Sequence, residues 1–252
     1  MKRFLLLASL AAAGCTSTPE SGPKDSDWTN AEAAYLGGEW GSAISGYERW
    51  IAANSSDRRV NAAKLRIARS WLSLGKPGNA LPVLDEVLNS GPASALVADA
   101  HAARGMAYHG LGSPPKAEAE FVDALRIGGD EVRRDECLYY LGLSKIRQGR
   151  WEPGLTDLFI LLRESPDSPY APKAKALRAA PDHIFSIQAG AFADPAGARR
   201  RAEELKAKGY EPFLVPDGAL NCVRIGRFTT WREAQDEAKI LEAAGIETTV
   251  VP

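Results

Sequence analysis

Reactive side chains are scarce in this chain: three cysteines, three histidines and two methionines among 252 residues. His101, His109 and His183 stand at no spacing from Cys or carboxylates that would assemble a metal site. His101 and His109 are read as solenoid surface. No Gly-x-Ser-x-Gly elbow, phosphate loop or dinucleotide fingerprint occurs, and paired carboxylates such as Glu203-Glu204 fall on a solvated helical face. Neither an active site, a cofactor nor a metal is therefore expected. Charge of one sign is lacking too. Lys and Arg number 31, Asp and Glu 32, and the net charge of −1 gives no attraction to a polyanion. The one clearly apolar run at the start of the chain, Phe4 to Ala13, is too short for an ordinary membrane span.

That run has an address-like context. Lys2 and Arg3 precede it, and Ala12-Ala13-Gly14 lead into Cys15. The pattern resembles a bacterial lipoprotein signal, with Ala12 where that family favours Leu. The resemblance implies that residues 1–14 are removed and that Cys15 carries the lipid, so the membrane is a partner through Cys15. Thr16 stands in place of the Asp linked to inner-membrane retention, which favours the outer membrane. An ordinary secretory signal cut near Ala13 is the other reading. Residues 15–27 are polar, contain Pro and Gly and show no apolar period, so they are read as a flexible tether. Twelve such residues reach roughly 20 Å. Cys137 and Cys222 fall in different parts of the chain and are expected to stay unpaired.

Residues 28–178 repeat with a step of 37. Gly38, Gly75, Gly112 and Gly149 lie on it, as do Ala43, Ala80, Ala117 and Gly154. Tyr47, Leu84, Phe121 and Leu158 keep the same step, as do Ala31, Ala68, Gly105 and Gly142. The spacing between these marks is helical, so each unit reads as helix, Gly turn, helix. Small residues let paired helices approach, and the large apolar residue fills the gap between pairs. Pro82 is expected near the start of its helix. These positions resemble the tetratricopeptide repeat, although its first-helix Trp and Leu are mostly missing. The expected form is an α-helical solenoid with a concave groove. That groove is either a docking surface for an unknown protein partner or part of a plain spacer.

Residues 183–252 contain one short unit written twice, 36 residues apart. Gly190 and Phe192 recur as Gly226 and Phe228, Ala198 as Ala234, Leu205 as Leu241, and Gly209 as Gly245. Strands are predicted at 185–190, 210–215, 220–226 and 247–251, with helices at 195–208 and 230–243. Asp194 is placed to cap the first helix and Thr229 or Thr230 the second, with Gly209 and Gly245 to end them. Each helix has one narrow apolar stripe, so both should cover one face of a four-stranded sheet and leave the other open. Alternation turns Phe185, Ile187, Ala189, Val223 and Ile225 toward the helices. Ser186, Gln188, Gly190, Leu220, Cys222 and Arg224 then line the open face, a shallow hydrogen-bonding surface suited to a neutral sugar polymer. Phe192 and Phe228 are read as core rather than as a ligand platform, and Trp231 either packs over the start of the second helix or edges the binding face to stack on a sugar ring. Nine Lys/Arg against ten Asp/Glu in this segment argue against nucleic acid.

The run Phe185-Ser-Ile-Gln-Ala-Gly-Ala-Phe192, with Gly209-Tyr210, Val223-Arg-Ile-Gly-Arg-Phe228 and Gly245, resembles the sporulation-related repeat, or SPOR domain. The resemblance implies a ribonucleoprotein-like βαββαβ fold that binds peptidoglycan glycan strands stripped of stem peptides. Gln188 matches a sheet Gln that contacts glycan in some members, while Gly190, Phe192, Gly226 and Phe228 match framework positions. Asn221 and Cys222 replace the usual Tyr-Arg, and Arg227 replaces a Pro. The whole reading is a noncatalytic, periplasm-facing envelope lipoprotein, or alternatively a scaffold acting mainly through its groove.

Overall fold

The computed structural model describes residues 23–91, 93–128, 133–180 and 182–252. The predicted signal, the lipidation site Cys15 and most of the tether lie outside these residues. The first helix, α1 (Pro23–Leu36), opens at Pro23, so the last five tether residues are helical.

Eight helices then pair off in four units: α1 with α2 (Trp40–Ala53), α3 (Val60–Ser73) with α4 (Pro77–Asn89), α5 (Ser94–Gly110) with α6 (Pro114–Ile127), and α7 (Arg134–Arg147) with α8 (Trp151–Glu164). A ninth, α9 (Ala171–Ala179), packs on α8 and closes the stack. The period of 37 has a local cause. In every unit the first helix ends on a glycine at φ 67–76°, whose N–H bonds the carbonyl three residues back. The next residue's N–H reaches five back, as in Gly75 to Leu72 and Lys76 to Trp71. This closure satisfies two orphan carbonyls and needs a left-handed residue, which glycine supplies without a Cβ penalty. Tyr47, Leu84, Phe121 and Leu158 are all fully buried between units. Gly142 and Gly154 let α7 and α8 touch backbone to backbone; a Cβ at Gly154 would lie 2.6 Å from the Gly142 carbonyl oxygen. Pro82 lies within α4 rather than near its start, because Pro77 already occupies the first turn.

The C-terminal domain runs β1 (Phe185–Phe192), α10 (Pro195–Ala207), β2 (Pro212–Asp217), β3 (Leu220–Phe228), α11 (Trp231–Ala243) and β4 (Thr249–Val251). Its antiparallel sheet has the order β2-β3-β1-β4. The Asp194 carboxylate accepts the N–H groups of Ala196 and Gly197, and Thr230 with Glu233 forms a capping box. Gly209 and Gly245 end the helices with the same closure as the solenoid turns, and Tyr210 and Ile246 then fold back onto the core. Ile187, Val223, Leu205 and Leu241 are buried between sheet and helices.

The two parts share a core that alternation alone does not reveal. Phe185, Trp231 and Ala234 belong to one buried cluster with Leu138, Leu143, Ile146 and Trp151 of the solenoid. The Trp231 indole lies under the Arg147 guanidinium at 4.9 Å and against the Gly112 turn. Trp151 stacks on His183 at 4.7 Å and leans on Phe185. The reading of Trp231 as packing within its own domain is thus incomplete: it packs across to the solenoid. Nor is His109 freely exposed solenoid surface: it is half-buried. It is packed edge-on to Tyr140, its Nδ1 is closed off, and burial followed by the nearby Arg147 charge drives its pKa down to about 3. His101 is partly buried, with Nδ1 2.8 Å from Glu120.

Candidate functional site

The outer face of the sheet is shaped by two irregularities, one in each copy of the duplicated unit. Along β1 and β3 the register steps from Gln188 opposite Arg224 to Gly190 opposite Val223, so one extra residue is inserted in β1. A second shift lies between Phe185 and Ile187, where the insertion falls in β3 around Gly226. At each site the aromatic ring two residues on folds back over the glycine. A Cβ at Gly190 would stand 2.6 Å from the Phe192 ring, and one at Gly226 would collide with Phe228. Gly226 also has φ +71°. The Gly-x-Phe element is therefore a bulge filled by its own aromatic ring, which turns Phe192 toward the core.

The bulge resets the alternation, and this corrects the expected site. Gly190 faces α10, since its missing Cβ would approach the Arg201 side chain as well as Phe192. Ala191 takes its place on the outer face, opposite Cys222. Ser186 and Cys222 do sit on that face but are closed, at 3% and 1% exposure. Burial raises the pKa of the Cys222 thiol, with Asp217 adding to the effect. Small side chains in mid-sheet sink between larger neighbours, so facing outward did not make them accessible. Gln188 and Arg224 are cross-strand partners and remain partly exposed, and Leu220 is 41% exposed. Arg224 reaches toward the carbonyl oxygen of Pro252 at 3.5 Å, while its Nε is closed and without a partner.

Two features escaped the sequence reading. Phe213 pairs with Arg224 and so shares its face; the unbroken apolar run of β2 hid its orientation. The second is a cleft of about 850 Å³ at the end of β1 remote from the solenoid. β4 pairs with Ser186, Ile187 and Gln188 only, which leaves the later half of β1 paired to β3 on one edge and with no strand on the other. Ala191, Thr248 and Thr249 line this cleft, with the Arg200 and Arg201 cations set against Glu204 and Glu247. Arg201 Nε donates to the Ala189 carbonyl, capping part of the bare edge. The lining mixes donors and acceptors at near-balanced charge, adjoining Gln188. Among the described residues, no group of three or more His, Cys, Asp or Glu side chains could hold a metal ion, and no helix is long and apolar enough to cross a membrane.

Comparison with known proteins divides at the same place as the fold. Residues 182–252 match the family model of the SPOR domain. A tetratricopeptide repeat protein from Parabacteroides merdae aligns with 74% of this chain and 66% of its own at 15% identity and TM-score 0.50. The apo form of RapI aligns with 61% of this chain and 46% of its own at 16% identity and TM-score 0.53. The peptidoglycan binding domain of the Bacillus subtilis cell wall lytic enzyme CwlC is 29% identical over 27% of this chain and 86% of its own, with TM-score 0.25. No curated protein matches the chain. The chain is a tetratricopeptide-like helical solenoid followed, at residues 182–252, by a SPOR domain.

Proposed function

We propose that the protein is a noncatalytic component of the bacterial cell envelope that binds peptidoglycan glycan strands through its SPOR domain. The observation that carries this reading is Gln188. It sits on the outer sheet face beside Arg224 and Phe213, where β4 stops and the cleft begins. An amide that both donates and accepts, a guanidinium and an aromatic edge match the hydroxyls, N-acetyl groups and ring faces of a sugar chain. The near-neutral charge of the domain agrees with a weakly charged polymer and not with a polyphosphate.

In this reading the ligand groups are Gln188, Arg224 and Leu220, joined by Phe213 and the cleft residues Ala191 and Thr249. Ser186 and Cys222 shape the surface without touching the strand, while Gly190 lines the cleft beside Ala191. The preferred ligand is glycan freed of stem peptides, which lies flat enough to follow a shallow face. Lipidation at Cys15 would hold the molecule to the outer membrane, facing the periplasm. The solenoid serves as spacer or docking platform, and a scaffold role through that platform is the second reading. It is favoured by the cavity between solenoid units described below.

The test is cosedimentation of the full chain with sacculi, intact and amidase-treated. Gln188→Ala should lower the bound fraction several-fold at unchanged melting temperature, and amidase treatment should raise binding of the parent chain. Equal binding by parent and variant removes Gln188 from the site.

A further inference from the structure

The Trp231 contact uses a repeated element of the solenoid, and an earlier copy of that element is open. Trp231 is seated by Gly112, at the turn between α5 and α6, and by Arg147, at the end of α7. One period of 37 earlier, these positions are Gly75, at the turn between α3 and α4, and Gly110, at the end of α5. Both line a cavity of about 340 Å³ whose other walls are Leu72, Pro77, Met106, His109 and Tyr140. Gly75 and Gly112 share φ +67°, so the backbone of the two turns is alike. Nothing stands within 4 Å of the space a Cβ would take at Gly75, whereas at Gly112 the Trp231 ring stands at 3.1 Å.

We propose that this cavity is a second, vacant aromatic seat, and that it takes an uncharged aromatic side chain, tryptophan foremost, from a protein partner. Three observations select that occupant. The equivalent seat in the next unit holds an indole. The walls contain a thioether, a proline ring and a phenol ring, and none of them carries a charge, because His109 is held neutral. Where Arg147 covers Trp231, the earlier seat has Gly110 packed against the Pro77 ring, and its lining residues include no cation. The two seats are also linked by a hydrogen bond. The Arg147 guanidinium donates to the carbonyl of His109, and His109 lines the open cavity. The solenoid thus binds its own SPOR domain and its partner in the same manner, in adjacent units. This deepens the docking reading of the solenoid and stands apart from glycan binding at Gln188.

Met106 is the only methionine after Met1, so its methyl group is a single reporter inside the cavity. The full chain carrying methyl-labelled methionine is titrated with N-acetyl-tryptophanamide, with N-acetyl-alaninamide as control, and Met106→Leu assigns the signal. The expected result is a saturable upfield ring-current shift of the Met106 methyl with the tryptophan compound alone. Leu72→Trp, which fills the cavity from its own wall, should abolish the shift. Should that variant fold poorly, His109→Phe narrows the same space and should weaken binding at least several-fold. A Met106 signal that does not move, moves without saturating, or moves equally with the alanine compound overturns the proposal. Sacculus binding is unaffected by any of these outcomes, so failure here and failure at Gln188 are distinguishable.

Discussion

Replacing Trp231 by alanine asks whether solenoid and SPOR domain unfold as one body. Trp231 is 8% exposed and draws its neighbours from both parts. Truncating a buried Trp costs about 3–5 kcal/mol through lost transfer energy and the cavity left behind. The guanidinium over its ring lies within that sum at about 1 kcal/mol. Its Nε1 is closed and has no hydrogen-bond partner, and removing an unsatisfied donor returns about 1–3 kcal/mol. The net loss is therefore centred on about 2 kcal/mol. In a domain of this size each kcal/mol moves Tm by about 4–8 °C. Calorimetry of the full chain should show one transition for the parent and two for Trp231→Ala, with the SPOR transition lowered by about 8–16 °C. A pair of glycine substitutions isolates the interface. Gly75→Ala and Gly112→Ala impose the same left-handed strain, about 1–2 kcal/mol. Only the second also pushes a methyl against Trp231 and Gln235. Gly112→Ala should therefore split the transition while Gly75→Ala only lowers it. A Trp231→Ala chain that still melts in one step, within about 3 °C of the parent, refutes the shared core.

Other outcomes follow from single sites. Gly190→Ala and Gly226→Ala drive a Cβ into the Phe192 and Phe228 rings, so each should destabilise the SPOR domain by about 1–3 kcal/mol in denaturant melts, Gly226 more because of its φ. Asp194→Ala removes two bonds at the start of α10 and should cost about 1 kcal/mol in the same melts. His109 has a folded pKa of about 3, below its ordinary value, so the unfolded chain binds the extra proton as pH falls from 6.5 toward 3. The parent should lose up to about 1.4 kcal/mol per pH unit in that window relative to His109→Gln, and parallel stability profiles would show that the ring is not buried neutral. The Cys137 thiol is pushed up to about 12, chiefly by burial, so it should resist a thiol reagent at pH 8 until the chain is denatured.

Much of this architecture was legible because it is local and repeated. A left-handed glycine at each turn, with a small residue five positions on and a large one nine positions on, marks every helical hairpin regardless of its neighbours. The caps Asp194 and Thr230 and the helix-ending Gly209 and Gly245 are likewise properties of a few consecutive residues. The site was read less well, for two physical reasons. Strict alternation assumes an unbroken ladder, and the extra residue at Ala189 in β1 put Gly190 on the wrong face. Direction also differs from access: Ser186 and Cys222 point outward yet are covered. Phe213 was hidden because every residue around it in β2 is apolar or Pro, which erases the period. His109 and Trp231 looked like surface or local packing because their neighbours come from other units of the chain.

The sequence by itself determined the four helical units, the βαββαβ order and the SPOR identity, since each rests on short-range spacing, turn chemistry and a duplicated motif. Only the tertiary structure decided that Trp231 joins the two parts, that the cleft opens where β4 ends, and that Gln188 and Arg224 remain reachable while Ser186 and Cys222 do not. Those outcomes depend on which distant side chains compete for the same volume, and spacing along a chain carries no record of that competition.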